Sequence, residues 1–349
     1  MTAGNKVRCA IGLLAGTLFF AVGGLAFAQE KAIAPTTQEV VAAIKRRAQQ
    51  ILEERRRARE WRLSLDLSQL VGYESNPAND SARKGDIYLS DSAYLTLSKK
   101  LTPTMTYQGI YSGSFDNYME YGDGDYTSQT LTPVKLLWQP GRMWRVDGGV
   151  DLNLTYYPRS GPSNYRELKP SIGVRQNLWG SWFHSARYEW FVRRYISKKA
   201  RDGAGAEKNH VARQDTRHRL RYEFGTTWKD ALMKVKQEWY FHDSNDERQD
   251  FYDAEDYKVT ASVNRQMTTK LSLNASYSFE RKNYKHRQVS GITAEARYDD
   301  TQTWKIQGTY DIEKMWSVNP SFEYKFLGSN DPTGEYVDTT INCTLTARF

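Results

Sequence analysis

Cysteine is almost missing from this chain: there are 2 among 349 residues, Cys9 and Cys343. Cys9 falls in a segment expected to be removed, so no intrachain disulfide can staple the mature fold, even in an oxidising compartment. Long apolar runs are missing as well. Beyond the first thirty residues no stretch reaches the roughly 18 apolar residues that a spanning helix requires, and mean hydropathy is −0.72. A bundle of transmembrane helices is therefore excluded. The chain also has no phosphate-cradling glycine loop, no dinucleotide fingerprint and no Cys/His spacing suited to a metal. No cofactor and no metal site are expected, and no enzymatic activity. The net charge of +8 comes without any nucleic-acid motif, so nucleic acid is not an expected partner.

What the chain does have is alternation. From Val337 to Phe349 every odd position is apolar or small, and every even one from Asp338 to Arg348 is polar. One greasy face, one wet face and a terminal aromatic define a half-lipid, half-water strand as readily as a half-buried soluble one. Similar period-2 segments recur from Trp61 onward, separated by turn chemistry. Leu63, Leu65, Leu67, Val71 and Tyr73 share the apolar face of the first. Trp304, Ile306, Tyr310 and Ile312 do so near the end. Fourteen such strands can be drawn, with twelve to sixteen as the range.

The connections alternate in length. Thr102-Pro103-Thr104, Gln139 to Arg142, Lys229-Asp230-Ala231, Thr268-Thr269-Lys270 and Glu313-Lys314-Met315 are short. Polar stretches at 74–86, 116–125, 158–164, 196–214, 243–256, 284–300 and 329–336 are long. Trp138, Trp144, Trp182, Trp228 and Trp316 all lie beside short turns. An indole keeps its ring in hydrocarbon and its N–H among headgroups, so tryptophans gathered at one end predict an interfacial girdle. Tight turns on one side, long loops on the other and a girdle between them predict one closed antiparallel barrel across a membrane.

The N-terminal region is expected to be separate. Lys6 and Arg8, the apolar run Ile11 to Ala21 and Ala26-Phe27-Ala28 read as a signal peptide over 1–28, cleaved after Ala28. Its loss reduces the net charge from +8 to +6, since Lys6 and Arg8 leave with it. Residues 29–60 predict a basic periplasmic helix: Thr36 and Glu39 form a capping box, and Val41, Ile44, Ala48 and Ile51 follow at helical spacing. This segment fits a solvated linker, a plug in the barrel mouth, or a dock for a periplasmic partner through 38–60. The barrel itself then occupies 61–349.

The opposite parity defines the lumen. Strands six to nine direct Glu167, Lys169, Arg175, Arg187, Glu189, Arg193, Arg217, Arg219, Arg221, Glu223, Lys234, Lys236 and Glu238 inward. Nine of these thirteen are cationic, so this wall is expected to be net positive. Strands two to four direct Tyr88, Ser90, Ser92, Tyr94, Gln108, Ser112 and Gln129 inward. The charged wall suits two roles, an Arg–Glu ladder that braces the barrel or a path that prefers anions. Arg175, Arg187, Arg193, Arg217, Arg219, Arg221, Lys234 and Lys236 are the candidate substrate contacts. Arginine's planar fork binds both oxygens of a carboxylate, and tyrosines can stack on sugar rings, so an acidic oligo- or polysaccharide is the candidate cargo. Among the histidines, His184 and His218 take lipid-facing parity and His210 and His286 fall in expected loops. His242, near Asp243 and Asp246, is the one faint catalytic cluster, and a solvated loop explains it better.

Val71-Gly72-Tyr73-Glu74-Ser75-Asn76-Pro77 and Pro320 to Phe326, followed by Gly328-Ser329-Asn330, Tyr336 and Phe349, resemble the putative β-barrel porin families of Gram-negative bacteria. Some members of these families are associated with exopolysaccharide systems. The resemblance implies an outer-membrane barrel with lipopolysaccharide and other outer-membrane lipids as neighbours. It also implies that Phe349 is read by the barrel-assembly machinery.

Overall fold

The computed structural model describes residues 60–77, 84–159, 161–202, 206–247, 253–289 and 295–349, with isolated helical residues between 45 and 53. The expected signal peptide and the capping box at Thr36 and Glu39 lie outside the described residues. Lys45, Arg46, Arg47, Gln49, Gln50 and Glu53 are helical, and belong to a unit separate from the strands.

Fourteen strands follow. They are β1 (Arg62–Glu74), β2 (Asp86–Thr102), β3 (Met105–Tyr118), β4 (Tyr126–Trp138), β5 (Trp144–Tyr156), β6 (Tyr165–Asn177) and β7 (Trp182–Arg201). The second half comprises β8 (Glu207–Trp228), β9 (Ala231–Ser244), β10 (Ala254–Gln266), β11 (Leu271–Gln288), β12 (Ala296–Asp311), β13 (Trp316–Ser329) and β14 (Tyr336–Arg348). Each pairs antiparallel with its sequence neighbours, and β14 returns to β1, closing the sheet into a barrel. Closure extends to the last residue. Phe349 N donates to Leu65 O at 2.9 Å, and Leu65 N donates to Phe349 O at 3.1 Å. A closed sheet has no edge, so every ladder group in the bilayer finds a partner within the protein.

The apolar face points outward. Leu63, Ile172, Ile306 and Ile341 are all exposed, Ile306 by 57%. Among the described residues the buried apolar side chains are few: Phe183, Phe191, Ala200, Ala254, Val289 and Ala347. Two stacked sheets would have hidden these leucines and isoleucines in a dry interior. Here the apolar band surrounds the molecule, as hydrocarbon requires. One interruption is the pair Gln69 and Asp91, which face each other on the outer surface and are joined by a 3.1 Å hydrogen bond.

Parity predicts unequal costs for one substitution at two nearby sites. Ile306→Arg puts a charge into the outer band and should lower unfolding free energy by about 2–4 kcal/mol. Thr303→Arg, on the inward parity of the same strand, should change it by well under half of that. Urea titration of the folded barrel in lipid measures both.

The short connections at 103–104, 139–143, 178–181, 229–230, 267–270 and 312–315 gather at one end, where Trp138, Trp144, Trp182, Trp228 and Trp316 are exposed outward. The longer connections lie at the other end, but several are shorter than expected. The predicted loop 196–214 is mostly strand, with β7 reaching Arg201 and β8 starting at Glu207. His210 is accordingly on β8 and His286 on β11 rather than in loops. Beyond the bilayer both faces of a strand meet water, so alternation fades while the hydrogen-bond ladder continues.

A recurring device ties these outer ends together. Arg213 forks onto Asp215 with two bonds of 2.9 Å, and Ser244 Oγ donates to the same carboxylate at 2.7 Å. Arg297 grips Asp299 in the same way at 2.8 and 3.0 Å, and Ser329 Oγ donates at 2.6 Å. Ser75 Oγ donates to Asp338 at 3.1 Å where β1 meets β14. The Ser-Asn pairs at 75–76, 244–245 and 329–330 are therefore strand-end clasps. Asn245 and Asn330 each accept a backbone N–H of the adjacent strand at 2.8 Å.

One inward assignment fails. Gln129 pairs with Gly113 and Leu154 on the outer face. The register shifts between Leu131 and Val134, where Pro133 has no N–H to give the ladder, and the extra residue reverses parity beyond it.

Candidate functional site

Inward residues of β5–β9 build a charged wall. All eight predicted cations occupy this face. Arg187 lies in register with Arg221, Arg219 with Glu189, Arg193 with Glu167, and Lys236 with Glu223. Antiparallel registry puts these side chains opposite one another across neighbouring strands, so opposite charges meet directly in three of the pairs. Arg187 and Arg221 face each other as like charges and turn to acids elsewhere.

Two carboxylates dominate its centre. Glu238, with its side chain 3% exposed, is held by Lys236 at 2.8 Å, Arg221 at 3.0 Å and Arg219 at 3.7 Å. Glu189 bonds Arg219 closely and lies 3.7 Å from Arg221. Nearer the outer mouth, Glu167 accepts Arg193 at 3.0 Å and stands 3.8 Å from Arg217. Lys234 reaches Glu223 at 3.6 Å near the turn end.

The periodic pattern of strands six to nine did not include β5, which supplies two further acids. Asp151 bonds Lys169 at 2.6 Å, and Asp147 bonds Arg187. Arg187 crosses β6 at Gly173 to do so. A Cβ on that glycine would sit 3.0 Å from the guanidinium, so a larger residue would obstruct the crossing. β5 also places Arg145 inward, in register with Arg175. Ten cations therefore face six carboxylates (the Arg213–Asp215 clasp at the mouth apart), a smaller positive excess than strands six to nine alone suggest. Arg175 has no carboxylate partner among the described residues. Its guanidinium lies 3.8 Å from the centroid of the Phe183 ring, and its Nε donates to Asn177.

The remaining circumference is different. Lys258–Glu280 at 2.9 Å and Lys305–Glu323 at 3.1 Å are balanced pairs on β10–β13. Ser68, Ser321, Asn342 and Thr346 hydrogen-bond among inward groups near the closure. Arg193, Arg217 and Arg221 are each about a quarter exposed, so water reaches the charged wall.

A collar of tyrosines surrounds the outer mouth, which alternation alone does not separate from other aromatic positions. Tyr88 stacks on Tyr118 with centroids 5.2 Å apart, and Tyr165 meets Tyr195 at 6.0 Å. Tyr126, Tyr240, Tyr284 and Tyr336 continue the inward parity near the same ends of their strands. Several are faced by cations: Arg193 over Tyr165 at 3.9 Å, and Lys325 over Tyr336 at 4.9 Å. Such a surface offers flat rings, hydroxyls and positive charge together.

His242 is on the inward face of β9 and bonds Asp256 at 2.8 Å, rather than Asp243 or Asp246. Among the described residues no serine, threonine or cysteine hydrogen-bonds its ring, and no cluster of metal-binding side chains forms. His184 and His218 face outward as expected, bonded to Gln176 and Tyr188. Cys343 is free and exposed on the outer face.

The fold and the wall define a closed antiparallel β-barrel with an apolar outer face and a charged inner wall. Residues 242–349, from the end of β9 through β14, match the family model described as "Putative beta-barrel porin 2". No curated protein matches the sequence. Among solved structures the chain is similar to OmpT of Vibrio cholerae, an outer membrane protein. Its loop L8 deletion form aligns at TM-score 0.50 and 9% identity, covering 83% of this chain and 99% of that one. The in-vitro folded form aligns at TM-score 0.50 and 9% identity, covering 83% and 97%. At that identity the likeness is one of fold.

Proposed function

We propose that this barrel is an outer-membrane channel whose lumen favours anions, with acidic oligo- or polysaccharide as its cargo. The supporting observation is the pairing of an unbalanced cationic wall with a tyrosine collar at the wider-looped end. Low-dielectric walls focus the field of the uncompensated cations onto the water between them. The purified chain in a planar bilayer under a tenfold KCl gradient should give a zero-current potential of the sign for chloride preference. Cation preference, or no conductance, would refute the proposal.

A second role is favoured by the tightness of the ion pairing around Glu189 and Glu238. A ladder of this kind braces a barrel that is plugged, anchors surface loops or docks a periplasmic partner through 38–60. Deleting 38–60 separates the cases. Raised conductance indicates a plug, and unchanged conductance with loss of a bound partner indicates docking.

Phe349 is proposed as the signal read by the assembly machinery. Its contribution to closure is made through the backbone, while its ring is exposed. Phe349→Ala should therefore refold in detergent with near-normal yield yet fall several-fold in outer-membrane abundance in cells. Equal abundance would remove that role.

A further inference from the structure

Registry leaves one arginine of the wall poorly served. Arg217 faces Phe191 on β7 and His242 on β9, neither of which carries a carboxylate. Its nearest acid is Glu167 at 3.8 Å, already bonded by both Nε and Nη2 of Arg193. Among the described contacts Arg217 makes no hydrogen bond. Its guanidinium rests over the Phe191 ring at 4.6 Å. A half-buried guanidinium with idle donors is costly unless water or a ligand satisfies them.

The fork borders a cavity of about 170 Å³ just inside the outer mouth. Arg193, Tyr195, His242 and Lys282 line it together with Arg217. Lys282 is in register with Asp256 and Asp299, which are bonded by His242 and by Arg297, and makes no ion pair within 4.0 Å among the described residues. The acids of the lining are largely engaged: Glu167 by Arg193, and Asp215 by Arg213 and Ser244. Asp243 is exposed at the edge. The volume corresponds to about six waters at liquid density, or to one sugar ring with its carboxylate. Two cations for the carboxylate, with imidazole and phenol groups for ring hydroxyls, match that shape and chemistry.

We infer that this cavity is a subsite for the carboxylate of a single acidic sugar residue, gripped by Arg217 and Lys282 at the entrance to the lumen. The inference rests on the anion-channel proposal for its biological meaning but is testable without conductance. Isothermal titration of sodium glucuronate into the full chain in detergent micelles should show saturable binding, whereas glucose should show none. Acetate should bind at least tenfold more weakly, because it lacks the ring hydroxyls. Arg217→Gln should weaken glucuronate binding at least tenfold, and Lys282→Gln, at the mouth and therefore safer for folding, about threefold or more. No saturable heat, equal affinity for acetate, or unchanged affinity in both folded variants would overturn the subsite. The zero-current potential would still decide the channel proposal separately: a chloride-selective pore that ignores glucuronate loses only the subsite.

Discussion

Glu238→Ala should be among the most destabilising single truncations in the lumen, lowering unfolding free energy by about 3 kcal/mol. Three cations converge on this one carboxylate, whose side chain is almost fully shielded from water. Its removal leaves Arg219 and Arg221 to Glu189, and Lys236 facing only Glu223 across the strand pair. Breaking a buried pair from one side costs about 3–5 kcal/mol, because the surviving charge remains desolvated. The lower end applies here, since the three cations are 17–30% exposed and water can partly replace the lost partner. Glu323→Ala provides the comparison. Glu323 and Lys305 are both about one-third exposed or more, so its loss should cost less than about 1 kcal/mol. Urea midpoints of the two variants in the same lipid test the difference; equal midpoints would contradict the account of the ladder.

The second large effect is expected on ion preference. Arg175 has no carboxylate partner among the described residues and Arg217 only Glu167 at 3.8 Å, which Arg193 already bonds, so both can be altered with little damage to the ion-pair network. Replacing both by glutamate changes the wall from ten cations and six carboxylates to eight and eight. An excess of four positive charges is cancelled. The zero-current potential should fall to near zero, with the anion-to-cation permeability ratio falling roughly tenfold, within the range for charge focusing in confined water. Replacing both by glutamine leaves eight against six and should give an intermediate potential. If all three channels share one potential, the wall does not set selectivity.

Much of this architecture could be read in the chain. The period of two from Trp61 to Phe349 reports a physical sorting of side chains between hydrocarbon and water, which holds wherever a strand crosses the bilayer. It therefore located all fourteen strands, the outward tryptophans and the inward parity of every candidate cation. It failed where its cause is absent. Above the bilayer both faces of β7 and β8 are wet, and what had the composition of a loop is strand. At Pro133 a bulge reverses the parity, and Gln129 turns to the outer face with it.

The partners of each charge were beyond the reach of periodicity. Alternation says that Arg187 and Asp147 both point inward, but their meeting depends on registry across β6 and on the missing side chain of Gly173. The same is true of Arg217, whose position between Phe191 and His242 is a matter of how three strands align. The sequence by itself determined the number of strands, the face that each residue shows and the end that carries the short turns, because these follow from local contact with water or lipid. Only the tertiary structure decided which cations are neutralised, where the tyrosines form a collar and which arginines lack a hydrogen-bonded carboxylate, because those depend on residues brought together by closure and registry.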